Sequence, residues 1–217
     1  MKTIAIDGPS GAGKSAIARA LAMRLGYEYI DTGALYRTIA YIAVKEGENL
    51  STEELLRVVE KKAIDYRNGQ VILDGEVLSD AIRTEAISQK TSQLSKEPAV
   101  RDYLLSLQRH LAQKGGSVME GRDIGTVVLP EADVKFFLTA SEDERARRRY
   151  AQRLSFGEKV DLEKIKRDIH ARDERDKNRE VAPLKQADDA ILVDSTHMTE
   201  DEVLDTMLRV VETSHVL

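Results

Sequence analysis

The octapeptide Gly8-Pro9-Ser10-Gly11-Ala12-Gly13-Lys14-Ser15 follows the apolar run Thr3-Ile4-Ala5-Ile6-Asp7 and precedes a helix-forming stretch, Ala16 to Leu25. A strand, a glycine-rich turn and a helix form the context in which the spacing G-x-x-x-x-G-K-[ST] binds a nucleoside triphosphate. Gly8, Gly11 and Gly13 let the backbone turn tightly and aim its N–H groups inward at phosphates. Lys14 then reaches the outer phosphates, and Ser15 offers a hydroxyl to Mg2+. The helix beginning there points its positive end at the same anion. A plain turn would account for the glycines. It would not account for a Lys-Ser pair in the first helical turn.

Outward from this loop, Tyr27-Glu28-Tyr29-Ile30-Asp31 reads as a second strand, and Thr32-Gly33 opens a helix to about Glu46. Such a start implies a parallel sheet with right-handed crossovers, with Asp31 beside the first strand at the sheet's ligand-binding edge. Ser51-Thr52-Glu53-Glu54 is a helix start with a capping residue and early acids. The period then changes: Ile64 to Arg67, a turn at Asn68-Gly69, Val71 to Leu73, a turn at Asp74-Gly75, and Val77-Leu78 read as an antiparallel meander. Helices are expected over Thr84 to Leu94 and Ala99 to Lys114, with Pro98 at a first helical position. Ser117 to Glu120, Val134 to Leu138 and Ala190 to Asp194 complete five core strands. Residues 141–185 are charged and mostly helical.

At 217 residues and 41% hydrophobic content the chain fits one domain with an insertion. A formal net charge of -5 disfavours nucleic acid and anionic membranes as partners. With no cysteine, disulfides, thiolate metal sites and a cysteine nucleophile are excluded. His110, His170, His197 and His215 show no metal spacing. No apolar run approaches the roughly 18 residues of a membrane helix, and no signal segment precedes the first strand. The expectation is a soluble, cytoplasmic monomer.

Three further clusters carry chemistry. Arg37, in Asp31-Thr32-Gly33-Ala34-Leu35-Tyr36-Arg37, is placed for a second phosphate or for a surface ion pair. Glu120-Gly121-Arg122-Asp123 puts opposite charges at the sheet edge, where an acid holds Mg2+ through water or accepts a substrate hydrogen bond. Arg172, Asp176 and Arg179 share one helix face, which suits a ribose and phosphate but also a solvated charge lattice. Arg145, Arg147, Arg148, Arg149 and Arg153, ahead of Ser155-Phe156-Gly157-Glu158, are read as an arginine-bearing flap of two helices. Phosphoryl transfer needs such groups to neutralise transition-state charge.

Taken together, these motifs resemble the bacterial cytidylate kinases, P-loop kinases that phosphorylate CMP and dCMP with ATP. The resemblance spans essentially the whole chain and rests on residues 6–15, 31–37, 121–128 and 172–179 with Ala182-Pro183-Leu184. It implies an α/β P-loop sandwich with a five-stranded parallel sheet, a core of residues 1–32, 115–147 and 161–217, a monophosphate-binding region 33–114 with its antiparallel insertion at about 63–80, and a lid at about 148–160. By the same resemblance Gly8, Pro9, Ser10, Gly11, Ala12, Gly13, Lys14, Ser15 and Ala16 bind ATP, with Ser15 on Mg2+. Thr32, Tyr36, Arg37, Ser92, Arg101, Arg122, Asp123, Arg172, Asp176 and Arg179 bind CMP. Among these, Ser92, Arg101 and Asp123 lie near the base, and Arg172 and Asp176 near the sugar. Lys14, Arg122, Arg148 and Arg153 serve catalysis. Thr32 stands where some relatives carry serine, and Glu120 where relatives also carry aspartate.

A GTPase switch would need N-K-x-D and D-x-x-G, and neither pattern occurs in the chain. A non-catalytic nucleotide-binding module would keep the octapeptide without needing arginines at three further places. A kinase of another monophosphate, such as UMP, would share the loop and the flap.

Overall fold

Ile4, Ala5 and Ile6 are buried in strand β1 (Thr3–Asp7), as a strand covered on both faces requires. Their side chains alternate. Ile4 and Ile6 enter an apolar cluster with Val118, Phe136, Leu21 and Met207, whereas Ala5 joins Ile30, Met119, Leu35 and Leu104 on the opposite face. A computed structural model describes residues 1–47, 50–67, 69–113 and 115–214 of the chain. Asn68, Lys114 and His215, which enter the sequence expectations above, lie outside the described residues.

The central sheet pairs β2 (Glu28–Asp31), β6 (Ser117–Gly121), β1, β7 (Val134–Thr139) and β8 (Ile191–Asp194) in that order, all parallel. One expectation is corrected here: β2 does not lie beside β1, because β6 sits between them. The crossover through α1 (Lys14–Leu25) lands one position further out, and the chain fills the gap when it returns after residue 115. The strand ends are nonetheless in register. Asp7 pairs with Gly121 and Asp31 with Glu120, so the carboxyl ends of β1, β2 and β6 reach one edge together.

Helix α2 (Thr32–Glu46) starts where the Asp31 carboxylate accepts the Ala34 N–H, and α3 (Thr52–Val59) where Ser51 and Glu54 form a capping box. Strands β3 (Ile64–Arg67), β4 (Gln70–Leu73) and β5 (Glu76–Leu78) form the antiparallel meander, burying Tyr66, Val71 and Leu78 in the cluster that covers α2. Helices α4 (Glu85–Leu94) and α5 (Pro98–Ala112) follow, with Thr84 as the cap of α4 and Pro98 in the first turn of α5. A wide helical turn, Ile124–Val128, follows β6. Helices α6 (Glu142–Ser155) and α7 (Leu162–Lys177) form a hairpin about a small core of Ala146, Ile165 and Ile169. Helix α8 (Glu200–Thr213) closes the face that carries α1, and its Thr199-Glu202 capping box went unread in the sequence. Among the described residues, no helix is long and apolar enough to cross a membrane.

Candidate active site

At the end of β1, Gly8 takes a φ of +152°, and a Cβ built there would sit 2.0 Å from the Leu138 carbonyl oxygen. No other residue fits. Gly13, in the left-handed region, turns the chain into α1. Lys14 folds back so that its ammonium donates to the Pro9 carbonyl at 2.8 Å, and burial, aided by the nearby Arg122 charge and opposed by Glu120, pushes its pKa down to about 7. Glu120 is buried beside it, accepting the Tyr29 hydroxyl at 2.6 Å. Burial, then the neighbouring Asp31 charge, raises its carboxyl, with Lys14, Ser15 and Tyr29 opposing. Asp7 accepts the N–H groups of Ile124 and Gly125 at 2.8 and 2.7 Å, fixing the segment after β6 against the root of the loop. Its pKa is raised to about 6 because burial outweighs these bonds.

On the β2 side, the second Asp31 carboxylate oxygen accepts from Arg37 at 2.8 Å, and the Thr32 hydroxyl donates to the Glu120 carbonyl at 2.7 Å. Arg122, just after β6, pairs with Asp176 of α7 at 2.9 Å. Burial works to raise Asp176, yet the guanidinium groups of Arg122 and Arg172 hold it below the usual carboxylate range. Burial, and then the like charges of Arg122, Arg37 and Arg149 against the attraction of Asp176, lowers Arg172 to about 10. So many guanidinium groups around one carboxylate leave an excess of positive charge, which an anion would neutralise. A second buried pair, Arg101 with Asp123, lies beside the Tyr36 ring, and Arg179 acts electrostatically on both Asp123 and Tyr36. The Nε groups of Arg37 and Arg179 are buried without a protein acceptor, as donors awaiting a ligand would be.

With this geometry in view, comparison with known proteins is decisive. The cytidylate kinase family model matches residues 4–213. The chain belongs to the cytidylate kinase family. A cytidylate kinase from Pseudomonas aeruginosa is 51% identical over 213 residues, covering 95% of this chain and 93% of the relative. One from Geobacter sulfurreducens is also 51% identical, covering 96% and 91%. A crystal structure of an uncharacterized protein from Eubacterium ventriosum matches with a TM-score of 0.53 at 14% identity, covering 98% of this chain and 99% of that one, a likeness of fold.

The structure gathers most of the residues singled out in the sequence. Lys14, Arg37, Arg122, Arg172 and Asp176 act on one another around the strand ends, and Tyr36, Arg101, Asp123 and Arg179 form an adjoining group. Ser92 stands on α4 and accepts from Arg175 of α7 at 2.7 Å, a contact that no motif announced. The flap arginines divide. Arg148 donates to the Ser195 hydroxyl and carbonyl at 2.9 and 2.7 Å and lies close to Gly13. Arg153 pairs with Glu158 at the hairpin tip. Arg145 does not belong to a flap surface at all: it is buried and paired with Asp173. The reading of Arg145 as one of five flap arginines is corrected there, because helical periodicity turns Arg145 inward with Ala146. Asp173 and Tyr66 were missed as well, since each makes its decisive contact with a distant part of the chain.

Proposed function

We propose that the protein transfers the γ-phosphoryl group of ATP to the phosphate of CMP or dCMP, giving ADP and CDP or dCDP. The observation that carries this reading is electrostatic: the charges of Arg122 and Arg172 reach the P-loop lysine, and those of Arg122 and Arg37 reach Arg172, so a second cationic group adjoins the first. A site for one nucleotide would not need the second set. An acceptor phosphate between Lys14 and the Arg37, Arg122 and Arg172 group would attack the γ-phosphorus while the bond to the bridging β-oxygen breaks and ADP departs. The nucleophile is already an anion, so no base is required, and the protein's work is positioning and charge neutralisation.

Residues 8–16 hold the ATP phosphates in this proposal, and Thr32, Tyr36, Arg37, Ser92, Arg101, Arg122, Asp123, Arg172, Asp176 and Arg179 hold the acceptor. Region 33–114 seats the monophosphate. The hairpin tip at 148–160 closes over the donor, bringing Arg153 in beside Arg148. Among the described residues there is no group of three or more His, Cys, Asp or Glu side chains able to cage a metal. Mg2+ fits all the same, because it is commonly held by one or two protein oxygens plus substrate phosphates. Ser15, close to the buried Glu120, supplies such a pair with it. When bound, the ion neutralises charge on the phosphate oxygens.

An ADP-release assay over a panel of nucleoside monophosphates tests the assignment. Turnover with CMP and dCMP well above that with UMP, AMP and GMP is expected. Preference for UMP would redirect it to another monophosphate kinase.

A further inference from the structure

Ser10, at the turn of the P-loop, is gripped from outside. Its N–H donates to one carboxylate oxygen of Asp173 at 2.9 Å, and its carbonyl accepts from Arg145 at 2.8 Å. The other Asp173 oxygen pairs with the same guanidinium, and a second arm of Arg145 is fixed on the Ala140 carbonyl at 2.9 Å. Both side chains are buried, at 8% and 4% exposure. The start of α6 also packs directly on Gly11, where an added Cβ would lie 3.1 Å from the Arg145 carbonyl oxygen.

We infer that Arg145 and Asp173 are positioning residues that decide which way the P-loop's peptide groups point. In a trans peptide the C=O and N–H are directed oppositely. With the Ser10 N–H held outward by Asp173, the Pro9 carbonyl of the same peptide must point inward, and there it accepts Lys14 at 2.8 Å. With the Ser10 carbonyl held outward by Arg145, the Gly11 N–H of the next peptide is turned towards the phosphate side. The pair therefore sets both the resting place of Lys14 and the first inward donor of the loop without touching nucleotide. Asp173 lies on α7 between Arg172 and Asp176, so one helix turns one face to the donor loop and another to the acceptor cluster. A misplacement of about 1 Å at such a site can cost on the order of 100-fold.

This inference rests on the P-loop's reading as the ATP site, so Mg-ATP affinity of the wild type is measured first, by titration calorimetry. Failure of the wild type to bind would strike that reading rather than this one. Asp173→Asn, which leaves Arg145 facing an amide, is expected to weaken Mg-ATP binding on the order of 10- to 100-fold, with CMP affinity in the absence of ATP kept within about threefold. The double variant Arg145→Met, Asp173→Leu leaves no charge unpaired, so the fold tolerates it, and it should show the same selective loss. In steady state the Michaelis constant for ATP should rise while that for CMP stays near wild type, and Arg145→Lys should fall between. A folded double variant that binds ATP within twofold of wild type would overturn the inference. So would parallel loss of ATP and CMP affinity, which marks general loosening.

Discussion

The hydroxyl of Tyr66 lies 2.7 Å from the backbone nitrogen of Asp31 and accepts its N–H. Asp31 caps α2 with one carboxylate oxygen and holds Arg37 with the other, so a side chain of the antiparallel insertion steadies the residue that orders Arg37, proposed above to bind the acceptor. The insertion is thereby tied to the chemistry. Tyr66→Phe keeps the ring but leaves a buried amide without an acceptor, at a cost of about 1–3 kcal/mol. Urea unfolding should show that loss, and the Michaelis constant for CMP should rise more than that for ATP. Equal constants with unchanged stability would break the link.

Lys14 gives a prediction with a definite sign in pH. Its pKa lies at about 7 in the fold against an ordinary 10.5, so between those values the unfolded chain binds a proton that the folded one does not. Stability therefore rises with pH across that window, and the burial penalty is fully felt below it. Lys14→Met should raise Tm at pH 7, with an advantage that shrinks as the pH approaches 10. The same substitution should lower kcat on the order of 100- to 1000-fold, since it removes charge stabilisation from the transferring group. A folded variant with near wild-type turnover would take Lys14 out of the mechanism.

The Arg122–Asp176 pair ties the segment after β6 to α7, and Asp176 is held below its usual range by the guanidinium groups around it. As its folded pKa is depressed, its contribution to stability is present above the ordinary carboxylate pKa and is lost as pH falls through the folded value. Asp176→Ala should raise the Michaelis constant for CMP much more than that for ATP, and it should lower stability at neutral pH while making the fall in stability on the acid side shallower. If neither constant moved, Arg172, Asp176 and Arg179 would be a surface charge lattice.

What could be read from the sequence was local. The P-loop, the Ser51-Glu54 box, the Pro98 helix start and the period-two meander each need only a few adjacent residues, and each lies where the sequence placed it. The insertion of β6 between β2 and β1 was illegible because strand order is settled by crossovers, not by strand composition. The grip of Asp173 on Ser10 joins residues 163 apart, and Tyr66 meets Asp31 across 35. In sequence each is one acid or one tyrosine among many, and only packing singles it out. Arg145 was misread for a related reason: the density of arginines drew attention to charge, while the phase of α6 decided which of them was buried.

Base selection should reside in the buried Arg101–Asp123 pair together with Ser92, whose hydroxyl accepts from Arg175. Cytosine presents an amino donor at C4 and an acceptor at N3, whereas uracil presents the reverse, so a carboxylate and a guanidinium fixed in one arrangement cannot satisfy both. Each mismatch leaves a buried polar group unpaired, at about 1–3 kcal/mol. Two mismatches give a preference for CMP over UMP of at least about 10-fold, rising to the order of 10,000-fold. Arg101→Met and Asp123→Ala should each reduce kcat/KM for CMP and narrow that ratio, the arginine variant losing fold stability too because Asp123 is left as an unpartnered buried charge. Variants that lose activity while the ratio holds would move base reading to other residues, and equal use of both substrates by the wild type would sink the cytosine assignment itself.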